Sequence, residues 1–128
     1  MIAALLLMAA APQVESDCGD LPQQPMNMCL NEVYQGVDAE MNREWKVVAD
    51  AMKAGDRDLD RTYDKEPGWY DTLLAGQRAW LAWRDKQCLL ESFDMRGGSG
   101  APMLHALCMS RMTRERTKQL KSMVEDGN

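Results

Sequence analysis

The 128-residue chain holds one histidine, His105. It shows no nucleophile-elbow pattern, so a hydrolytic triad would lack its base. No motif pairs carboxylates for glycoside hydrolysis. The expectation is a protein without catalytic activity. Strand-like alternation, internal repeats and a second-domain boundary are all missing, which excludes the β and α/β classes and leaves one domain. The longest apolar run, residues 1–11, is well short of the roughly 20 residues that cross a bilayer. No small residue and leucine immediately precede Cys18; Ser16 and Asp17 stand there, so a bacterial lipid anchor on that cysteine is not indicated.

The aspartates of the 56–66 region fail as a calcium loop. The template needs glycine at its sixth position and glutamate at its twelfth, where this chain has Arg61 and Pro67. His105-Ala-Leu-Cys108 offers two metal ligands, but a disulfide would consume the thiol. Met26, Met28 and His105 could serve copper(I), yet methionines on helical stripes more often pack a core. No cofactor and no metal are therefore expected.

What is present begins with residues 1–11, Met-Ile-Ala-Ala-Leu-Leu-Leu-Met-Ala-Ala-Ala. The run is uncharged, ends in small residues and has the length of a signal-peptide core, although no Lys or Arg precedes it. It reads as a signal peptide. Residues 12–25 form an irregular lead and 26–124 a helical domain. The product is expected to be released, periplasmic or secreted, without a stable membrane anchor.

The four cysteines, Cys18, Cys29, Cys88 and Cys108, are an even set in an exported chain and predict two disulfides. Four cysteines allow three pairings. If consecutive helices alternate direction, all four thiols collect at one end. That arrangement favours bridges from the N-terminal pair to Cys88 and Cys108, with Cys18–Cys29 plus Cys88–Cys108 as the alternative.

Three apolar stripes predict three helices. The first is Met26, Leu30, Val33, Val37, Met41, Trp45, Val48 and Met52, opened by Pro25 and ending near Gly55. The second is expected to start at Pro67, with Tyr70, Leu73, Gln77, Trp80, Arg84 and Cys88 on one face. Arg96-Gly97-Gly98-Ser99-Gly100 is a stop and turn. Ser99 or Gly100 then caps a third helix with Pro102 in its first turn; it carries Met103, Leu104, Leu107, Cys108, Met112, Leu120 and Met123, and its Arg111 and Glu115 stand four apart and could pair. The fold class is all-α, a small antiparallel three-helix bundle stapled by two disulfides at one end.

Charge is uneven. Residues 12–66 carry 13 acids against 6 bases, and residues 67–128 carry 7 against 9. An acidic first half suits a basic protein partner and argues against nucleic acid. Asp56, Asp58, Asp60 and Asp64 concentrate that charge between the first two helices and are the candidate partner-binding residues. Trp69 and Trp83 are possible interface anchors, although in a bundle this small core packing is the default for a tryptophan.

Several strings in this order resemble one family. They are Cys29-Leu-Asn-Glu-Val-Tyr34, Asp38-Ala-Glu-Met-Asn42, Gln77-Arg-Ala-Trp-Leu-Ala-Trp-Arg-Asp-Lys-Gln-Cys88, Gly97-Gly-Ser99, Pro102, Cys108 and Thr113 to Arg116. Together they resemble the LprI-type lysozyme-inhibitor domain of secreted or periplasmic bacterial proteins, over about residues 18 to 121. The resemblance implies a small helical domain with paired cysteines and, for its founding kind of member, inhibition of a host lysozyme. The leading expectation is thus a non-enzymatic lysozyme inhibitor with a basic partner such as lysozyme. The alternative is a periplasmic structural or stress-related binding module. Asp38, Asn42, Gln77, Arg78, Trp80, Arg84 and Asp85 match the family pattern. Apart from Trp80 they are expected to form a structural polar network, in which Arg84 on an apolar stripe needs Asp38 or Asp85 as acceptor.

Overall fold

The three apolar stripes fold as three long helices. A computed structural model describes residues 12–125. A 3-10 turn at Glu15–Cys18 leads into α1 (Gln23–Arg57), α2 (Trp69–Ser92), a second 3-10 turn (Phe93–Met95) and α3 (Ala101–Glu125). No strand occurs among the described residues. Residues 1–11, where the signal-peptide expectation falls, lie outside them.

Helix α1 starts at Gln23, two residues before Pro25. Proline is tolerated there because the first four helical N–H groups have no intrahelical acceptor to lose. The expected irregular lead is therefore partly ordered. Asn27 donates to the Ser99 carbonyl at 2.8 Å, which ties the start of α1 to the turn before α3.

Helix α2 starts at Trp69 instead of Pro67. The Asp56 carboxylate decides this. Its two oxygens accept the backbone N–H groups of Trp69 and Tyr70, at 2.7 and 3.1 Å. Gly68 stands between, where a Cβ would meet Asp56 Oδ1 at 2.8 Å. Only glycine leaves the carboxylate room to reach the helix end. The α2–α3 connection turns at Gly97, whose φ of 79° lies in the left-handed region that glycine enters freely.

Side chains from the helices meet in three buried groups. Leu30 and Val33 of α1 pack with Cys18 and with Ala106 of α3. Met41 and Val48 pack with Leu73 of α2 and Leu120 of α3. Cys88 of α2 packs with Cys108, Met109 and Met112 of α3. The α1–α3 seam is the broadest and α2 is held less extensively by both neighbours.

The disulfides correct the favoured pairing. They are Cys18–Cys29 and Cys88–Cys108. Cys88 and Cys108 are equidistant in sequence from Gly98, so the α2–α3 hairpin sets them face to face with Cα atoms 5.3 Å apart. Cys18 meets Cys29 because the lead folds back through Gly19–Pro22 onto the first turns of α1, bringing the two Cα atoms to 5.7 Å. All four sulfurs still lie toward the α1-start end of the bundle, but each bridge closes locally. Met112 Sδ lies 3.7 Å from Cys88 Sγ and 3.8 Å from Cys108 Sγ. A disulfide sulfur carries no proton, so these are packing contacts.

Candidate functional site

Two polar features stand out from the apolar bundle. The first surrounds Arg84, which is only 6% exposed although it carries a permanent charge. Its place on the buried stripe of α2 leaves the guanidinium no route to water. Nε and Nη2 both donate to Asp85 Oδ1, at 3.1 and 3.0 Å, and Nη1 donates to Thr113 Oγ1 of α3 at 3.2 Å. Asp38 Oδ1 of α1 lies 3.8 Å from Nη1. The cation also rests near the faces of Trp80 (5.2 Å) and Tyr34 (5.7 Å). Burial pushes the Tyr34 phenol above its usual range, opposed by the nearby Arg84 charge. One guanidinium thus touches all three helices.

The other residues expected in this network divide. Asn42 donates to Asp38 Oδ2 at 3.3 Å, beside the Arg84 group. Gln77 is buried and forms a separate link, accepting from Arg116 Nε of α3 at 2.8 Å. Burial lowers the pKa of Arg116 from its usual value. Arg78 is exposed and enters no ion pair among the described residues, so it stands apart from the network. Tyr34 and Thr113 were missed. Thr113 and its neighbours Ser110 and Thr117 are small polar residues on the buried face of α3, which an apolar stripe does not register. Arg111 pairs with Glu91 of α2 at 2.8 Å, and not with Glu115, because the α2–α3 seam brings that carboxylate closer than the next helical turn does.

The second feature is the loop between α1 and α2. Asp56, in the last turn of α1, and the loop's Asp58, Asp60 and Asp64 have different roles. Asp56 is committed to capping α2. Asp60 Oδ1 accepts from the Thr62 N–H and hydroxyl, at 2.9 and 2.7 Å, and these bonds hold its carboxyl below the usual carboxylate range. Asp64 Oδ1 accepts the Glu66 N–H at 2.9 Å. Asp58 is exposed and makes no ion pair or side-chain hydrogen bond among the described residues. Arg61, interior to the loop, donates to the Asp64 and Glu66 carbonyls, at 3.4 and 2.6 Å. The loop is therefore braced from within. Tyr63 is 96% exposed at its tip. Neither Arg61 nor Tyr63 was a sequence candidate, since nothing in their spacing distinguishes a brace or a tip from ordinary loop residues.

Other sequence candidates disperse. Met26 packs in the first core group while Met28 is 68% exposed. Two residues apart on a helix they point about 200° from each other, so they do not converge on one ion. His105 is half-buried on α3, and Cys108 is oxidised. Among the described residues no group of three or more His, Cys, Asp or Glu is placed to hold a metal ion. Trp69 and Trp83 are 57% and 58% exposed, which overturns core packing as their role. A groove of about 560 Å³ runs between α1 and α3 beside the lead, lined by Val37, Gly36, Arg43, Arg114 and Lys121 among others.

No helix among the described residues is long and apolar enough to cross a membrane. No solved structure is similar to this chain. A Rhizobium meliloti (strain 1021) protein described as "Uncharacterized protein R02472" is 39% identical over 128 residues, spanning 96% of this chain and 92% of that protein. The family described as "Lysozyme inhibitor LprI" matches residues 17–120, from the first disulfide through nearly all of α3. The chain belongs to the LprI lysozyme-inhibitor family.

Proposed function

We propose that the protein is an exported, non-enzymatic binding protein that inhibits a lysozyme-type muramidase through its α1–α2 loop. Family membership supports the activity class. Two buried disulfides support an oxidising, extracytoplasmic setting. The loop carries the mechanistic reading. It is acidic, braced by Arg61, and presents a nearly fully exposed tyrosine, Tyr63, and an exposed Asp58. A pre-organised loop loses little entropy on docking, and a tyrosine supplies contact area at low conformational cost. Animal-type lysozymes are basic proteins, so the acidic loop would steer encounter and the tyrosine would fill a pocket or cleft. Asp56 takes no direct part, because its carboxylate is spent on α2.

The test is a muramidase assay with the oxidised protein at low and moderate salt. Dose-dependent inhibition that weakens with salt is expected. Asp58→Lys with Tyr63→Ala should raise the inhibition constant by about tenfold or more, the effect of losing one interface anchor. Neither side chain braces the loop, so the variant should keep its fold. Full inhibition by the variant would remove the loop from the mechanism. Failure of the parent protein against every lysozyme class would leave a binding module of another kind.

A further inference from the structure

Helix α2, with Phe93 just past its end, carries a second stripe that is exposed to solvent; at its start the Trp69 ring also lies against Gly55 of α1. Positions 69, 72, 76, 79, 83, 86, 90 and 93 are spaced alternately by three and four residues, and all eight are exposed. This is the spacing of a coiled-coil seam. One of the eight, Lys86, is charged. Trp69, Trp83 and Leu90 are 57%, 58% and 60% exposed, and Phe93 is 39% exposed. Trp69 rests partly on Gly55 of α1 and Phe93 lies under Arg96, but core packing does not explain the exposure of Trp83 and Leu90. Gly76 sits mid-helix on this stripe, and a Cβ there would meet nothing within 4 Å. Glycine at an exposed helix interior destabilises the helix relative to alanine and gains no intramolecular contact here. Its absent side chain suits the approach of another helix.

We propose that this outer face of α2 is a self-association surface, on which a second copy of the chain docks α2 against α2 in an antiparallel, two-fold arrangement. The self-complementarity of the stripe carries the proposal. Reversing its order sets large against small. Trp83 faces the partner's Ala79, Leu90 faces the partner's Thr72, and Lys86 faces the partner's Gly76. Phe93 meets the partner's Trp69 at the two ends. On the flank, Ala75 faces the partner's Leu89. An isologous contact requires such self-matching of one patch.

Charge agrees. Helix α2 holds three acids and three bases, so two copies meet on a neutral helix although the chain carries −5 overall. The area is modest. A 24-residue helix is about 36 Å long and roughly 12 Å wide with its side chains. The paired strips then cover roughly 450 Å² per copy and about 900 Å² in total, close to the ~1,000 Å² floor of specific interfaces. The dimer is therefore reversible and concentration-dependent. The stripe begins where the α1–α2 loop ends, and the proposal does not depend on lysozyme binding.

The experiment is sedimentation equilibrium of the oxidised protein from about 10 μM to about 1 mM, the range that brackets weak self-association. The parent should pass from monomer to dimer. Trp83→Ala should raise the dissociation constant at least tenfold. Ala79→Trp, which sets two tryptophans against each other, should do the same. The double variant A79W/W83A restores a large–small pair and should return to within about threefold of the parent, as coupled neighbours do. Far-UV circular dichroism and thermal melting check that each variant is folded; both positions are exposed. A parent that stays monomeric throughout the range overturns the proposal. So does a dimer indifferent to W83A, or a double variant that adds the two losses without recovery.

Discussion

Asp56 has a structural role that its charge alone does not reveal. In the sequence it is the first of four aspartates between the first two helical stripes; in the fold it closes the N-terminus of α2 from thirteen residues away. Asp56→Ala should cost about 1–2 kcal/mol, the upper part of the range for a lost cap. Asp58→Ala should stay within about 0.5 kcal/mol, as surface changes do. Urea midpoints measure both, and equal midpoints would show that the cap contributes nothing. Arg84 makes a subtler case. Arg84→Lys keeps the charge but cannot fork to Asp85 and reach Thr113 together, so it leaves a buried ammonium short of acceptors. Arg84→Met removes the charge and refills the volume, while Asp85, largely exposed, returns to water. The lysine variant should be the less stable of the two, because a buried ion short of partners costs more than an apolar replacement. Denaturant unfolding of the pair decides it; a more stable lysine variant would show that charge alone satisfies the site.

At the scale of elements, the two disulfides do unequal work. Cys88–Cys108 fastens α2 to α3 and closes a sequence separation of 20, whereas Cys18–Cys29 closes 11 and fastens the lead to α1. Chain-entropy arguments put each near 3 kcal/mol, with the longer loop ahead. Replacing both Cys88 and Cys108 by serine should lower the melting temperature more than replacing Cys18 and Cys29. The first bridge lies at the centre of a buried group, where two hydroxyls would also be left without acceptors. The reverse order would indicate that the lead contributes more to the fold than its contacts suggest. The helices themselves were largely legible. Every residue of the α1 stripe is buried or half-buried, from Met26 to Met52. The starts of α1 and α2 were not, because one depends on where proline is harmless and the other on a side chain from a different helix.

For the whole molecule, the acid side of the stability profile follows from ion pairs that join elements. Glu15 holds the lead to α3 through Arg114, and that bond lowers its pKa below the usual carboxylate range. Glu91 joins α2 to α3 through Arg111 and is lowered in the same direction, first by that hydrogen bond. A carboxylate depressed in the folded state contributes stability that is present above its unfolded pKa and lost as pH falls through the folded value. Stability should therefore be level above about pH 5 and decline below about pH 4.5, the usual carboxylate range. Glu15→Gln should remove part of that decline and start from a lower plateau. A variant with the parent's full acid slope would show that the Glu15 tether does not form in solution.

The sequence by itself determined the all-helical class, the three helices, the buried stripe of α1 and the presence of two disulfides. Those properties follow from local periodicity and from an even count of cysteines, which survive without knowledge of neighbours. Tertiary structure decided which cysteines pair, because pairing depends on where the α2–α3 hairpin and the folded-back lead bring the sulfurs. It decided the partners of Arg84, since Asp85, Thr113 and Asp38 come from three helices. It also separated the four aspartates into a cap, two local braces and one acid with no side-chain partner among the described residues, and it left Trp69 and Trp83 more than half exposed. A stripe announces that a residue has an apolar neighbour; only the packed bundle shows on which side of α2 that neighbour stands.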